Sequence, residues 1–198
     1  MIDYQKLVIK LKWGLEHDWN KEHILNAIYS VDANHIESKT FLADNLLQWM
    51  PAVGAKDKKI FVAGGWTGLL AQCLHDRYNC NVVSMDLEEK WPEYGRFLFP
   101  KIKFEVGDCF DFDEPCDVWA STSCEHFHRE ELVHEIQKRK GKCMFALQSN
   151  NWYDWPTHIN CVDSVHDFID YLGLDKVLFS ASQPMHIKGI ERFTVIGV

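Results

Sequence analysis

The period of the apolar positions changes near residue 58. Before that point Ile24, Ala27, Ile28 and Val31 recur at helical spacing. Phe41, Leu42, Leu46, Leu47 and Met50 do so again ahead of Pro51, and no convincing strand appears. Beyond it, short strands alternate with helices. Ile60, Phe61, Val62 and Ala63 form a continuous apolar run, as a central strand covered on both faces requires. Residues 81–85 make a second run, while Lys103-Phe104-Glu105-Val106 alternates as an exposed edge strand would. Asp117-Val118-Trp119-Ala120 and Cys143-Met144-Phe145-Ala146-Leu147 supply two more. Between them residues 128–140 read as a helix, with Glu130 and Glu131 in its first turn and Lys138, Arg139 and Lys140 in its last. That distribution matches the helix macrodipole, accounts for the basic run, and leaves Gly141 to end the helix. Residues 164–172 form a further short helix, capped by Asp163 or Ser164 and closed by Gly173. The runs 177–181 and 193–198 leave no room for a helix around Gly189. They must pair as a hairpin, the second strand antiparallel to the rest.

This order predicts an α/β fold: a doubly wound, seven-stranded, mostly parallel sheet with a C-terminal antiparallel hairpin and an N-terminal helical cap. Residues 1–56 form the cap and 57–198 the Rossmann-like domain, together one compact unit. The 198 residues suffice for a core without disulfides or metal, and the 46% apolar and 25% charged fractions are those of a soluble globular chain. Seven cysteines without a framework of spacings indicate free thiols in a reducing cytoplasm. No stretch reaches membrane-span length, and the N-terminus lacks the basic and apolar regions of a signal peptide. A formal charge of −8 argues against a nucleic-acid backbone as the main partner.

The candidate chemistry begins where the first strand ends. Lys59-Ile60-Phe61-Val62-Ala63 runs into Gly64-Gly65-Trp66-Thr67-Gly68, and a helix and a second strand then deliver Asp86. A strand, a tight loop of bare backbone, a helix and an acid describe a site for a nucleoside-containing cofactor. Nicotinamide is the weaker choice: the spacing is not G-x-G-x-x-G, and no Tyr-x-x-x-Lys pair occurs. Over roughly residues 58–198 the chain resembles the class I S-adenosylmethionine-dependent methyltransferases. Phe61 to Gly68 fall at that family's glycine loop, Val83-Ser84-Met85-Asp86 at its second strand, and Phe104-Glu105-Val106-Gly107-Asp108-Cys109 at its third. The segment from Asp117 through Ser121 to Cys124-Glu125-His126 resembles its fourth strand and exit loop. The resemblance implies S-adenosylmethionine as cofactor, held by Gly64, Gly65, Trp66, Gly68, Asp86, Leu87, Asp108, Cys109 and Ser121. Asp86 would take the ribose, and Asp108 with Cys109 the adenine. Two positions depart from the pattern. Val62 stands where the family carries an acid, and Trp66 where it carries a glycine. These departures define a second reading, a methyltransferase-like binding module or assembly subunit without turnover. Hydrolysis or lyase chemistry on the same cofactor is a third.

The acceptor side is expected at the exits of the fourth and fifth strands. His126, with Glu125, would remove a proton from the acceptor, worth about 10²–10⁴ in rate. The loop Asn150-Asn151-Trp152-Tyr153-Asp154-Trp155-Pro156 offers a flat apolar wall, with Trp152, Tyr153 and His158 as the substrate-contacting residues. A small-molecule acceptor suits this better than duplex DNA. Cys124, His126 and His128, with Cys109 and Cys116 upstream, lack the paired short spacings of a zinc site, so no metal is expected.

Overall fold

Side chains alternate across the strands, so each strand feeds two separate cores. A computed structural model describes residues 4–17, 21–50 and 57–198. Pro51, the expected stop after the third helix, lies outside them. Three helices come first: α1 (Tyr4–Glu16), α2 (Lys21–Tyr29) and α3 (Ala33–Leu46). Then follow β1 (Lys59–Ala63), α4 (Leu69–Tyr78), β2 (Asn81–Asp86), α5 (Lys90–Leu98) and β3 (Lys103–Val106). The remainder is β4 (Val118–Ser121), α6 (Arg129–Lys138), β5 (Met144–Asn150), α7 (Val165–Leu172), β6 (Val177–Pro184) and β7 (Glu191–Gly197).

The sheet order is β3-β2-β1-β4-β5-β7-β6. Neighbours from β3 to β5 are parallel, and β7 runs antiparallel to both β5 and β6. Ile60, Val62, Val118, Ala120 and Ala146 face one core with Leu42 and Leu46 of α3 and Leu70 and Leu74 of α4. Phe61, Ala63, Trp119, Phe145 and Leu147 face the other, with Leu132 of α6 and Phe168 of α7. Ser164 caps α7, its Oγ accepting from the Asp167 N–H at 3.1 Å, and Gly173 ends it in the left-handed region at φ 63°. The expected sheet and hairpin are present. Helix α5 has no counterpart in the periodicity reading, because Pro92 and Gly95 break the pattern. Pro92 sits in the first turn, where an N–H has no intrahelical partner to lose.

The N-terminal helices join this core. Leu42, Ala43 and Leu46 of α3 are fully buried. A polar relay pins α3 to the sheet: Ser38 Oγ donates to Gln148 Oε1 (2.8 Å), and Gln148 Nε2 donates to the Ser38 carbonyl (3.1 Å) and to Thr194 Oγ1 (2.9 Å). Lys10 of α1 reaches the end of α5, donating to the carbonyls of Phe97 (2.7 Å) and Leu98 (2.6 Å) in its last turn.

Candidate active site

In an open α/β sheet the loops at the strand C-termini form a crevice where the connections diverge. Here that point lies between β1 and β4. The loop leaving β1 is held by close packing. The Gly65 N–H donates to the Met85 carbonyl at 2.9 Å, and a Cβ on Gly65 would stand 2.0 Å from Ser84 Oγ. Gly68 takes φ 89°, and a Cβ there would meet the Phe104 ring at 2.4 Å. Trp66 has φ 49°, rare for a bulky residue. Its N–H donates to Asp86 Oδ2 at 2.8 Å, and the Glu88 N–H donates to Oδ1 at 3.2 Å. Asp86 therefore shapes the loop as well as ending β2. Burial raises its pKa, against the two backbone donors. The Trp66 indole leans between α3 and α5, edge-on to His35 (5.4 Å between centroids) and Trp91 (5.9 Å).

The other residues expected at the cofactor follow the ends of β2, β3 and β4. Asp108 is exposed after β3, and its Oδ1 accepts from the Phe110 N–H at 2.9 Å. Cys109 is buried, and burial pushes its thiol pKa up, so it is a neutral wall residue. Leu87 is 72% exposed directly after Asp86. Ser121 ends β4, where its Oγ accepts from the Ser123 N–H (3.1 Å), and Ser123 Oγ donates to the Gly64 carbonyl (3.3 Å). The Phe127 ring lies so close to Gly64 that a Cβ there would be 3.1 Å away. A cavity of about 210 Å³ lined by Cys116, Lys138, Arg139 and Cys143 lies at the opposite ends of β4 and β5. The strand connections, not cavity volume, assign the site.

Beyond β4 the character changes from backbone donors to buried charge. Glu125 is 3% exposed; its Oε1 accepts from Asn150 Nδ2 (2.6 Å) and Arg192 Nη1 (2.9 Å). The Glu125 carbonyl accepts from the N–H groups of Ile159 (2.9 Å) and Asn160 (3.0 Å), which ties the β4 exit to the loop after β5. That loop carries the half-buried His158, its side chain only 6% exposed and Nε2 4.0 Å from Glu125 Oε1. His126 is exposed, and its ring meets that of His158 edge-on at 4.7 Å. His126 Nδ1 lies 3.0 Å from the Thr157 carbonyl, and His158 Nδ1 lies 2.8 Å from the Trp152 carbonyl. A carbonyl only accepts, so both rings carry a proton on Nδ1 and keep the lone pair on Nε2. Trp152 packs on Trp155 at 4.7 Å and on His158 at 5.9 Å. Tyr153 is exposed and donates to Asp163 at 2.8 Å, apart from this group.

Helix α3 adds Lys39 and His35. Burial, with Arg192 next in weight, brings the Lys39 pKa down to about 7. Burial and then Lys39 bring His35 down to about 4, and burial also lowers His158, opposed by Glu125. Periodicity passed over Lys39 and Arg192. The signal for Lys39 was present: with Ile36, Leu42, Ala43 and Leu46 it occupies the apolar stripe of α3.

No protein-family model matches the chain, and no curated protein matches it. Solved structures do. Magnesium protoporphyrin IX methyltransferase (ChlM) from Synechocystis PCC 6803, with bound S-adenosylmethionine, aligns at TM-score 0.60 and 13% identity, covering 91% of this chain and 86% of that one. Geranyl diphosphate C-methyltransferase from Streptomyces coelicolor A3(2), with Mg²⁺, geranyl-S-thiolodiphosphate and S-adenosylhomocysteine, aligns at 0.58 and 13%, covering 78% and 75%. A TehB-like methyltransferase from Corynebacterium glutamicum aligns at 0.54 and 18%, covering 79% and 97%. The fold is therefore that of the class I S-adenosylmethionine-dependent methyltransferases.

Proposed function

We propose that the chain transfers the methyl group of S-adenosylmethionine to a small-molecule acceptor. The observation that carries this reading is the glycine loop locked onto Asp86 at the switch point. The residues fit a nucleoside ligand. Each Asp86 oxygen holds one backbone N–H and keeps lone pairs for the ribose hydroxyls. Gly64, Gly65 and Gly68 leave bare backbone at the loop, and Trp66 closes it toward α3. Asp108, Cys109 and Leu87 border the adenine, and Ser121 borders the loop from β4. The fold neighbours named for magnesium protoporphyrin IX and geranyl diphosphate act on small molecules, and the charge of −8 favours such an acceptor over nucleic acid.

The cofactor supplies an activated methyl carbon on a sulfonium, open to attack by an acceptor lone pair. The protein's part is positioning in a water-poor cleft. Trp152 and His158 wall the acceptor, with Tyr153 at the outer rim. His126 Nε2 takes the acceptor's proton, and Glu125, clamped by Arg192 and Asn150, fixes the surrounding loops. Seven free cysteines, six of them buried, suit a reducing cytoplasm. No helix among the described residues is long and apolar enough to cross a membrane.

Calorimetric titration with S-adenosylmethionine, S-adenosylhomocysteine and NADH in parallel tests the reading. Micromolar binding of the two adenosyl ligands alone is expected, and Asp86→Ala should weaken it roughly 10- to 100-fold through lost charge-assisted hydrogen bonds. Silence from all three ligands would favour the module without turnover, for which Val62, buried where the family carries an acid, speaks.

A further inference from the structure

Two imidazoles and a carboxylate converge at the acceptor end of the cleft. One ligand-capable atom each from Glu125, His126 and His158 lies within 4.8 Å of the other two. Around a tetrahedral ion with bonds of about 2.0–2.2 Å, such atoms stand roughly 3.3–3.6 Å apart. Rotamer-scale shifts close that gap.

Three observations distinguish this from accidental crowding. Both histidines place Nδ1 against a main-chain carbonyl, Thr157 at 3.0 Å and Trp152 at 2.8 Å. That is the hydrogen bond which orients a metal-ligating imidazole and presents its Nε2 lone pair. Glu125 is 3% exposed, yet its Oε2 is buried without a hydrogen-bond partner among the described residues while Oε1 holds Asn150 and Arg192. An orphaned buried acceptor costs about 1–3 kcal/mol, and more when charged. The exposure is also graded: Glu125 is buried, His158 is half-buried with its side chain turned inward, and His126 opens to solvent and provides an entry path.

We propose that Glu125, His126 Nε2 and His158 Nε2 bind one divalent transition-metal ion, whose open positions take an oxygen or nitrogen donor of the methyl acceptor. The role of the open positions rests on the methyltransferase reading; the metal site does not. Arg192 on Oε1 and Lys39 behind it oppose a dication. Affinity must therefore come from the imidazoles, which favours zinc, cobalt or iron over magnesium or calcium. With the ion bound, His126 is a ligand and takes no proton. A coordinated acceptor would be more acidic and give its proton to solvent; its lone pair would then form the bond to the methyl carbon as the carbon–sulfur bond breaks, the electron pair staying on the sulfur of departing S-adenosylhomocysteine.

The test is a Co²⁺ titration of the metal-stripped full chain, read by visible absorption, with Zn²⁺ as competitor. One equivalent of Co²⁺ with intense bands of a low-coordinate site, displaced by Zn²⁺, is expected. His126→Ala and His158→Ala should each weaken binding by roughly 100-fold or more, since loss of an orienting partner alone costs 10–100-fold. His166→Ala, on the exposed side of α7, should leave it unchanged. His126 is exposed, so its variants keep the fold, and the melting temperature checks this. Absence of stoichiometric binding, or binding retained in the double histidine variant, overturns the proposal. Adenosyl-ligand titration of the same samples separates the two readings. Cofactor binding without metal sinks only the metal site, and metal binding without cofactor sinks only the methyltransferase assignment.

Discussion

The two halves of the crevice are built from different materials. At the ends of β1, β2 and β3 the groups are backbone N–H donors, glycines and the carboxylates of Asp86 and Asp108, and nearly every contact is local or crosses one strand pair. At the ends of β4, β5 and β7 they are buried ions: Glu125, Arg192 and Lys39, with neutral His35 and His158 beside them. A surface of backbone donors tolerates side-chain change wherever packing permits. A buried charge cluster tolerates little, because every member is the counter-charge or the burden of another.

The largest effect should follow removal of the carboxylate that pairs with Arg192. Glu125→Ala leaves Arg192 buried and unpaired and should cost about 3–5 kcal/mol in urea unfolding. Combining Glu125→Leu with Arg192→Met should restore most of that stability, since no ion then remains without its partner. A single-variant loss below 1 kcal/mol would mean that water, not Glu125, compensates Arg192.

A smaller effect of opposite sign is expected at Lys39. Its folded pKa of about 7 lies below the unfolded value near 10.4. Between these values the unfolded chain binds a proton that the native state has released, so this group makes stability rise with pH across the window. Lys39→Met should therefore stabilise by about 1–3 kcal/mol at or below pH 7, with the gain fading toward pH 10. Melting curves of both proteins at three pH values read this directly; a gain independent of pH would show that Lys39 is not a buried ion.

The smallest change belongs to the other half. Trp66→Gly relieves a positive φ and gives up two edge-on aromatic contacts worth about 0.5–1.5 kcal/mol each. Because the indole leans toward α3 and α5, adenosyl-ligand affinity should stay within about threefold. A tenfold loss would make the indole part of the cofactor site, and a tenfold gain would make it an obstruction.

The same division governs what the sequence could reveal. Strand runs, the hairpin and the glycine loop with Asp86 depend on neighbours along the chain, so periodicity and spacing expose them. Helix α5 escaped because Pro92 and Gly95 interrupt its pattern, although both positions are harmless there. The hold of Asp86 on the Trp66 N–H is a loop geometry that no spacing encodes. Arg192 fell just outside the apolar run read as the last strand, and its partner Glu125 is 67 positions earlier. His158 and His126 belong to different loops, so a search for short metal-ligand spacings has nothing to detect. Only Lys39, a charge inside a helical apolar stripe, was a legible anomaly.

That sequence distance between Glu125 and Arg192 gives the protein a timetable. During synthesis the glycine loop and Asp86 emerge early and can dock on strands already made. Glu125 emerges 67 residues ahead of the guanidinium that pairs with it, and β5 likewise waits for β7, made only after α7 and β6, to cover its edge. The last strand is thus a latch. Until the ribosome has delivered it, one half of the crevice is finished while the other remains a carboxylate and an open sheet edge awaiting closure.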